Sequence, residues 1–244
     1  VMSKPDFLER YVNYTSNVWL ADKVVKCTGY ACGTTAAIIK TLFGPDNEVG
    51  QDIDKIAAMI SSARMVYRIA GIWPSLLKLR ENTGAGKAWK DPRIHLVAKM
   101  VDVANIFYHA LEHFAWSAGH VRALQRRIPG GMKRCWAIAN FWWLAWVLLD
   151  MVSTALKLRE LKKVEADLFE ALGNNKPNEA NIQTEIAGVS IQRRALHIQL
   201  VRLWLFLPNA YNWALEDAII PRGYVQFMGF LEGFYGTVMS FPRK

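Results

Sequence analysis

Residues 135–156 read CWAIANFWWLAWVLLDMVSTAL and contain a single charged residue, Asp150. As an α-helix this stretch would be about 33 Å long, which matches the hydrocarbon core of a bilayer. Basic residues flank both ends, and tryptophans crowd the first half, where indole rings favour the headgroup boundary. These residues are Lys133, Arg134, Lys157 and Arg159, and Trp136, Trp142, Trp143 and Trp146. The pattern predicts a transmembrane helix; the alternative is a core helix buried on all sides in a soluble bundle.

The overall composition also favours contact with lipid. Of 244 residues, 52% are hydrophobic, ten are tryptophan, and the net charge is +9. A positive charge favours an anionic partner, and beside apolar spans that partner is expected to be phospholipid rather than nucleic acid. The three cysteines cannot all pair, so no disulfide framework is predicted.

A second apolar stretch lies near the end of the sequence, at Gly223–Phe241, where Glu232 is the only charge. Gly229 and Gly233 form a GxxxG motif, and Gly236 extends the smooth face. Small residues at this spacing let two helix backbones approach closely within a membrane. We therefore predict a second span whose glycines pack against a neighbouring helix.

The remaining sequence is patterned for long helices. Apolar residues recur at steps of three and four between residues 53 and 70, 97 and 118, and 182 and 207, and Pro74 is expected to kink the helix that contains it. The predicted fold class is all-α, a helical membrane protein with long amphipathic helices and about two transmembrane helices. Residues 1–132 would form a cytosolic, membrane-surface region. Residues 133–244 would form a membrane region with spans near 135–156 and 223–241, joined by a long helical connection.

A basic segment precedes the central span. Seven basic residues and two acids lie between Arg64 and Arg93. Cations interleaved with tryptophan and leucine are typical of a helix that lies on a membrane surface. The predicted lipid-surface residues are Arg64, Arg68, Trp73, Leu77, Lys78 and Arg80. The alternative is the solvated basic face of an ordinary bundle helix.

The loop Val121–Arg134 indicates the orientation in the membrane. It holds five cations and no acid, so the positive-inside rule places it in the cytosol.

One motif has the spacing of a metal site. His109, Glu112 and His113 match H-x-x-E-H, which puts two imidazoles on one helical face beside a carboxylate. A zinc peptidase also needs a third ligand and an open cleft, and neither is evident from the sequence. We interpret the histidines as polar groups satisfied within a bundle or at a lipid interface, and we predict no catalytic residue, cofactor or metal.

Several segments, in order, resemble the peroxin-11 family of peroxisomal membrane-elongation proteins. FLERYVNYTSNVWLADKVVKCTGYACG (7–33), with its acid–lysine pair Asp22-Lys23, resembles the N-terminal block of that family. SSARMVYRIAGIWPSLLKLR (61–80) resembles its basic amphipathic helix, and IFYHALEHFAWSAGHV (106–121) its central segment. FWWLAWVLLDMVSTALKLREL (141–161) resembles its first span, and RALHIQLVRLWLFLPNAYNWAL (194–215) with GFLEGFYGTVMSF (229–241) its C-terminal block.

This resemblance implies a non-enzymatic protein of the peroxisomal or glycosomal membrane with both termini in the cytosol. Its basic amphipathic helix would insert into one leaflet of an anionic phospholipid membrane, promote elongation and recruit division proteins. The expected protein partners are further copies of the chain or proteins of the division machinery. Some family members are also proposed to pass small metabolites. The alternative hypothesis is a non-catalytic accessory subunit of a large complex in the mitochondrial inner membrane or a plastid membrane.

Overall fold

A computed structural model describes residues 6–81, 89–174 and 179–241, and the regular secondary structure in these ranges is entirely helical. The helices are α1 (Phe7–Thr15), α2 (Val18–Phe43), α3 (Glu48–Arg68), α4 (Ile72–Glu81), α5 (Pro92–His120), α6 (Arg122–Gln125), α7 (Gly131–Asn174), α8 (Glu179–Trp213) and α9 (Arg222–Ser240). A short 3-10 helix, Ile69–Gly71, joins α3 to α4. The all-α fold class is confirmed.

The ends of α2 show how local sequence sets the helix boundaries. Asn17 caps its N-terminus, because the side-chain oxygen accepts hydrogen bonds from the backbone N–H groups of Trp19 and Leu20. Asp22 lies just over one turn inside the helix. At its C-terminal side α2 ends at Gly44, whose φ of 98° is a conformation that glycine adopts without steric cost.

The predicted break at Pro74 is present, and it falls just before the proline. A proline ring clashes with the carbonyl four residues earlier, here that of Ala70. The 3-10 helix Ile69–Gly71 occupies this position. As a result, α4 leaves the end of α3 as a separate short helix.

The helices pack in two groups. In the first group α2 packs along α3 and α9, and in the second α7 packs along α5 and α8; α8 also contacts α9, and α4 contacts α5. The second group has an aromatic core around Trp143, whose ring centroid lies 4.7 Å from that of Phe206, 5.1 Å from Trp213 and 5.7 Å from Tyr108. Stacked and edge-on aromatic pairs at such distances add to the stabilisation from burial.

The helix α7 contains the apolar stretch 135–156 and is about 66 Å long. Within the described ranges it is the one helix long and apolar enough to cross a membrane, and 22% of its most apolar window is buried inside the fold. Phe141, Leu148 and Val152 on its outer face are exposed. An apolar face this open fits lipid better than water, so the burial on all sides that the alternative required is not observed.

The second predicted span corresponds to α9, with bounds one residue earlier than expected. This helix does not meet the same requirement of length and hydropathy. Crossing of the membrane by α9 therefore stays a prediction.

Candidate lipid-binding surface

The outer face of α4 exposes large apolar side chains. Trp73 is 69% exposed, and Leu76 and Leu77 are each more than a third exposed. The three residues lie within about one and a half turns of the helix. Exposed apolar groups gathered on a short helix are typical of a surface that binds lipid or another protein.

Two cations border this apolar face, and both are accessible. Arg80 is 75% exposed at its side chain, and its nearest acid is the neighbouring, also exposed Glu81. The ammonium of Lys78 lies 3.8 Å from a carboxylate oxygen of Asp102, at the outer limit of an ion pair. Burial raises the pKa of the Asp102 carboxyl, and the positive charge of Lys78 offsets this rise only in part. Both cations are therefore accessible at the surface of the bundle.

The inner face of α4 is fixed to the bundle. Ser75 of α4 is buried, and so is Gly71 of the preceding 3-10 helix. The amide of Asn105 on α5 donates hydrogen bonds to the Ser75 hydroxyl (2.9 Å) and to the Gly71 carbonyl (3.3 Å). We define the α4 surface as Trp73, Leu76, Leu77, Lys78 and Arg80. It is held outward by these contacts.

The structure corrects the expected position of Arg64. This residue is buried and donates two hydrogen bonds to the carboxylate of Asp22, at 2.7 and 2.9 Å, and the Tyr67 hydroxyl donates a third at 2.7 Å. Burial alone would raise the pKa of Asp22, but the hydrogen bonds and charge of Arg64 outweigh it and hold that pKa below its ordinary value. Burial and the bond to Asp22 raise the pKa of Tyr67 to about 12. Arg64 joins α2 to α3 and does not face lipid.

Arg68 is likewise directed inward. Its guanidinium donates to the Tyr108 hydroxyl (2.5 Å) and lies 3.0 Å from Glu112 Oε1, to which Tyr108 also donates. Burial would raise the pKa of Glu112, yet the charge of Arg68 leaves it lowered. This cluster joins α3 to α5, so two of the four predicted lipid-binding cations serve the bundle interior. Sequence periodicity could place them on a helix face but could not show their distant partners.

The H-x-x-E-H residues lie close together. Their potential ligand atoms are within 4.8 Å of one another, and all three residues are buried. However, the two ring nitrogens of His113 face the carbonyl oxygens of His109 (2.8 Å) and Met65 (2.6 Å), and Arg68 pairs with Glu112. A cation would have to displace these contacts, so the arrangement favours a structural role.

The glycines of α9 lie at close helix contacts. An added Cβ at Gly229 would lie 2.5 Å from the ring of Tyr30, and one at Gly233 would lie 3.2 Å from Cys27 Cα, both on α2. A Cβ at Gly236 would lie 2.8 Å from Arg202 of α8. The spacing of the three glycines thus lets α9 approach two neighbours.

Comparison with known sequences shows the family of the chain. The sequence model of the family described as Peroxisomal biogenesis factor 11 (PEX11) matches residues 8–241. The chain belongs to the PEX11 family. Peroxisomal membrane protein 11C of Homo sapiens is 23% identical over 228 residues, which cover 90% of this chain and 85% of that protein. Peroxisomal membrane protein 11C of Mus musculus is 24% identical over 242 residues, covering 96% and 91%. No solved structure matches significantly.

Membership of the PEX11 family confirms the predicted location in the peroxisomal membrane and the role in organelle biogenesis. It favours the hypothesis of a peroxisomal location over the mitochondrial and plastid alternatives.

The sequence of this PEX11 family chain shows that Glu232, alone in an apolar segment, needs a partner, but it does not identify that partner. Glu232 of α9 is buried and pairs with Lys26 of α2 (2.5 Å) and Arg202 of α8 (2.6 Å). An isolated acid in an apolar segment needs a partner, because an unpaired buried charge is costly. Its partners lie 206 and 30 residues away, and no local pattern identifies them.

Proposed function

We propose that this chain elongates the peroxisomal membrane during division by inserting the α4 surface into the cytosolic leaflet. Membership of the PEX11 family supports a peroxisomal membrane protein that takes part in peroxisome division. The observation that supports the insertion mechanism is the exposure of Trp73 and Leu77 beside the accessible cations Lys78 and Arg80.

Insertion of α4 would act on one leaflet only. The apolar face of an interfacial helix sinks about 5–10 Å into the boundary between headgroups and acyl chains. This depth widens the cytosolic leaflet without reaching the opposite one, so the membrane bends toward the cytosol. Each nearby cation contributes about 1 kcal/mol on an anionic surface.

The short length of α4 is compensated by its anchoring. A helix of ten residues binds a membrane weakly by itself, because its apolar area is small. The span in α7 would hold it at the bilayer, which turns insertion into an intramolecular step with a high effective concentration. The hydrogen bonds of Asn105 fix α4 to α5, which packs along α7.

The proposed partners are anionic phospholipids, further copies of the chain and proteins of the division machinery. Several copies inserted side by side would add their curvature, and a division protein would act on the resulting tubule.

Peroxisome shape in cells tests this function. In cells lacking their own PEX11 proteins, the wild-type chain should lengthen peroxisomes, whereas the double variant Trp73→Ser/Leu77→Ser should reach the peroxisome at normal levels without lengthening it. The matched control is Ile191→Ser on α8, which also removes an exposed apolar side chain. Equal lengthening by the double variant and the wild type would refute the role of α4.

A further inference from the structure

A large cavity lies between the two groups of helices. Its volume is about 950 Å³, near the upper end of the roughly 300–1,000 Å³ of small-molecule sites. Walls from α2, α3 and α9 face walls from α5, α7 and α8. The α4 surface does not line the cavity, so a role for it goes beyond the proposed function and is independent of it.

One end of the cavity carries excess positive charge. Lys23 and Lys26 of α2 and Arg202 of α8 line it together with Glu232 of α9. Lys26 and Arg202 share the carboxylate of Glu232. Among the described residues, no carboxylate lies within ion-pair distance of Lys23. Burial and the charge of Arg202 lower the pKa of Lys23, and the charge of Glu232 offsets them only in part. At this end three cations thus meet the carboxylate of Glu232, while Asp150, which also lines the cavity, accepts a hydrogen bond from Gln199. A partly buried cation without a partner is costly unless an anion reaches it.

Another part of the cavity lining is aromatic and apolar. Trp143, Trp146, Leu203, Phe206 and Trp213 line it. The two regions meet where the ammonium of Lys26 lies 3.8 Å from the centroid of the Phe206 ring, within the range of a cation–π contact. The cavity is therefore charged at one end and apolar along one side. This distribution matches an amphiphile, which has a charged headgroup and an apolar chain.

We propose that this cavity binds one anionic amphiphile, with its carboxylate or phosphate at Lys23, Lys26 and Arg202 and its single hydrocarbon chain along Trp143, Leu203 and Phe206. The anion compensates the charge of Lys23 that Glu232 leaves unpaired. The chain covers aromatic surface that lines the cavity. A free fatty acid and a lysophospholipid share this chemistry.

Photo-crosslinking of the full-length protein in neutral phosphatidylcholine nanodiscs tests the proposal. The probes are a C16 fatty acid with a diazirine near the chain end, its uncharged methyl ester, and a lysophosphatidic acid with the same chain. An anionic probe should label the cavity-lining residues Trp143, Leu203 or Phe206, while the ester should not. Labelling by the carboxylate identifies a fatty acid as the source, and labelling by the phosphate alone identifies a lysophospholipid.

Variants separate the cavity from general lipid contact. Lys23→Gln should weaken cavity labelling about tenfold, as expected for loss of one hydrogen bond between charged groups, and Lys23→Arg should retain it. Asn140→Phe fills the cavity from the α7 wall and should abolish labelling. The control Lys55→Gln removes an exposed cation on α3 and should have no effect.

The proposal is overturned if labelling is confined to the outward residues Phe141 and Val152, if the ester labels the cavity as well as the acids do, or if Lys23→Gln and Asn140→Phe both leave labelling unchanged. Thermal unfolding of each variant in the same nanodiscs identifies misfolding. If Lys23→Gln unfolds, loss of labelling in a folded Asn140→Phe variant supports the proposal, and retained labelling there overturns it.

Discussion

Replacement of Arg64 by glutamine should destabilise the bundle without reducing lipid binding. The side chains of Arg64 and Asp22 are only 11% and 17% exposed, and two hydrogen bonds join them. Removing one partner of a buried pair costs about 3–5 kcal/mol, and because water still reaches part of this pair we expect about 3 kcal/mol. For a chain of this size each kcal/mol lowers Tm by about 2–4 °C, so Arg64→Gln should unfold about 6–12 °C earlier.

The assay is thermal unfolding of the full-length protein in detergent, followed by circular dichroism. Arg80→Gln is the matched control, because Arg80 is 75% exposed and surface substitutions change stability by no more than about 0.5 kcal/mol. The double variant Asp22→Asn/Arg64→Gln should be less destabilised than the sum of the two single variants. Equal Tm values for Arg64→Gln and Arg80→Gln, or strict additivity in the cycle, would refute the assignment of Arg64 to the interior.

Three further outcomes are expected. Gly229→Ala places a Cβ 2.5 Å from an aromatic ring of α2 and should lower the free energy of unfolding by about 1–3 kcal/mol in the same assay. Gly188→Ala, with open space around it, should be neutral or stabilising. Equal effects of the two substitutions would argue against the close approach of α9. The pKa values of Asp22 and Glu112 are lower in the folded protein than their unfolded values of 3.8 and 4.5. Both carboxylates therefore stabilise the fold when the pH is above these unfolded values, and the stabilisation is lost as the pH falls through the lower folded pKa values. An acid titration of Tm should therefore show a steeper loss below about pH 4 for the wild type than for Asp22→Asn. Trypsin added to intact peroxisomes should cut the cationic segment 121–134, which includes α6 and the start of α7 with a short connection between them; protection until the membrane is lysed would contradict its cytosolic position.

The sequence predicts those parts of the fold that depend on local chemistry. The end of α2 before Gly44 and the break near Pro74 follow from backbone constraints that the neighbouring residues impose. The apolar stretch 135–156 likewise predicts a membrane-length helix, since hydropathy and length are read directly from the sequence.

The sequence cannot predict the pairing of distant charges. Arg64 and Arg68 have the spacing of a basic surface, and their inward direction depends on Asp22 and Glu112, which lie on other helices. The same limit applies to Glu232, whose need for a partner was visible while its partners were not. In contrast, Trp73 is exposed as the amphipathic pattern suggested, because none of the described elements covers that face of α4.

The elongation of vesicles by the purified protein tests the central claim most directly. Full-length protein is reconstituted into anionic and neutral vesicles, and vesicle shape is recorded by cryo-electron microscopy for the wild type and for Trp73→Ser/Leu77→Ser and Lys78→Gln/Arg80→Gln. The two cations together are worth about 2 kcal/mol at an anionic surface, so their loss should weaken α4 insertion about thirtyfold at low salt. The wild type should form tubules from anionic vesicles. Both double variants should be reconstituted in the same amount as the wild type but should leave the vesicles round. Tubules of equal length from the wild type and both variants would contradict the role of α4 in shaping the membrane.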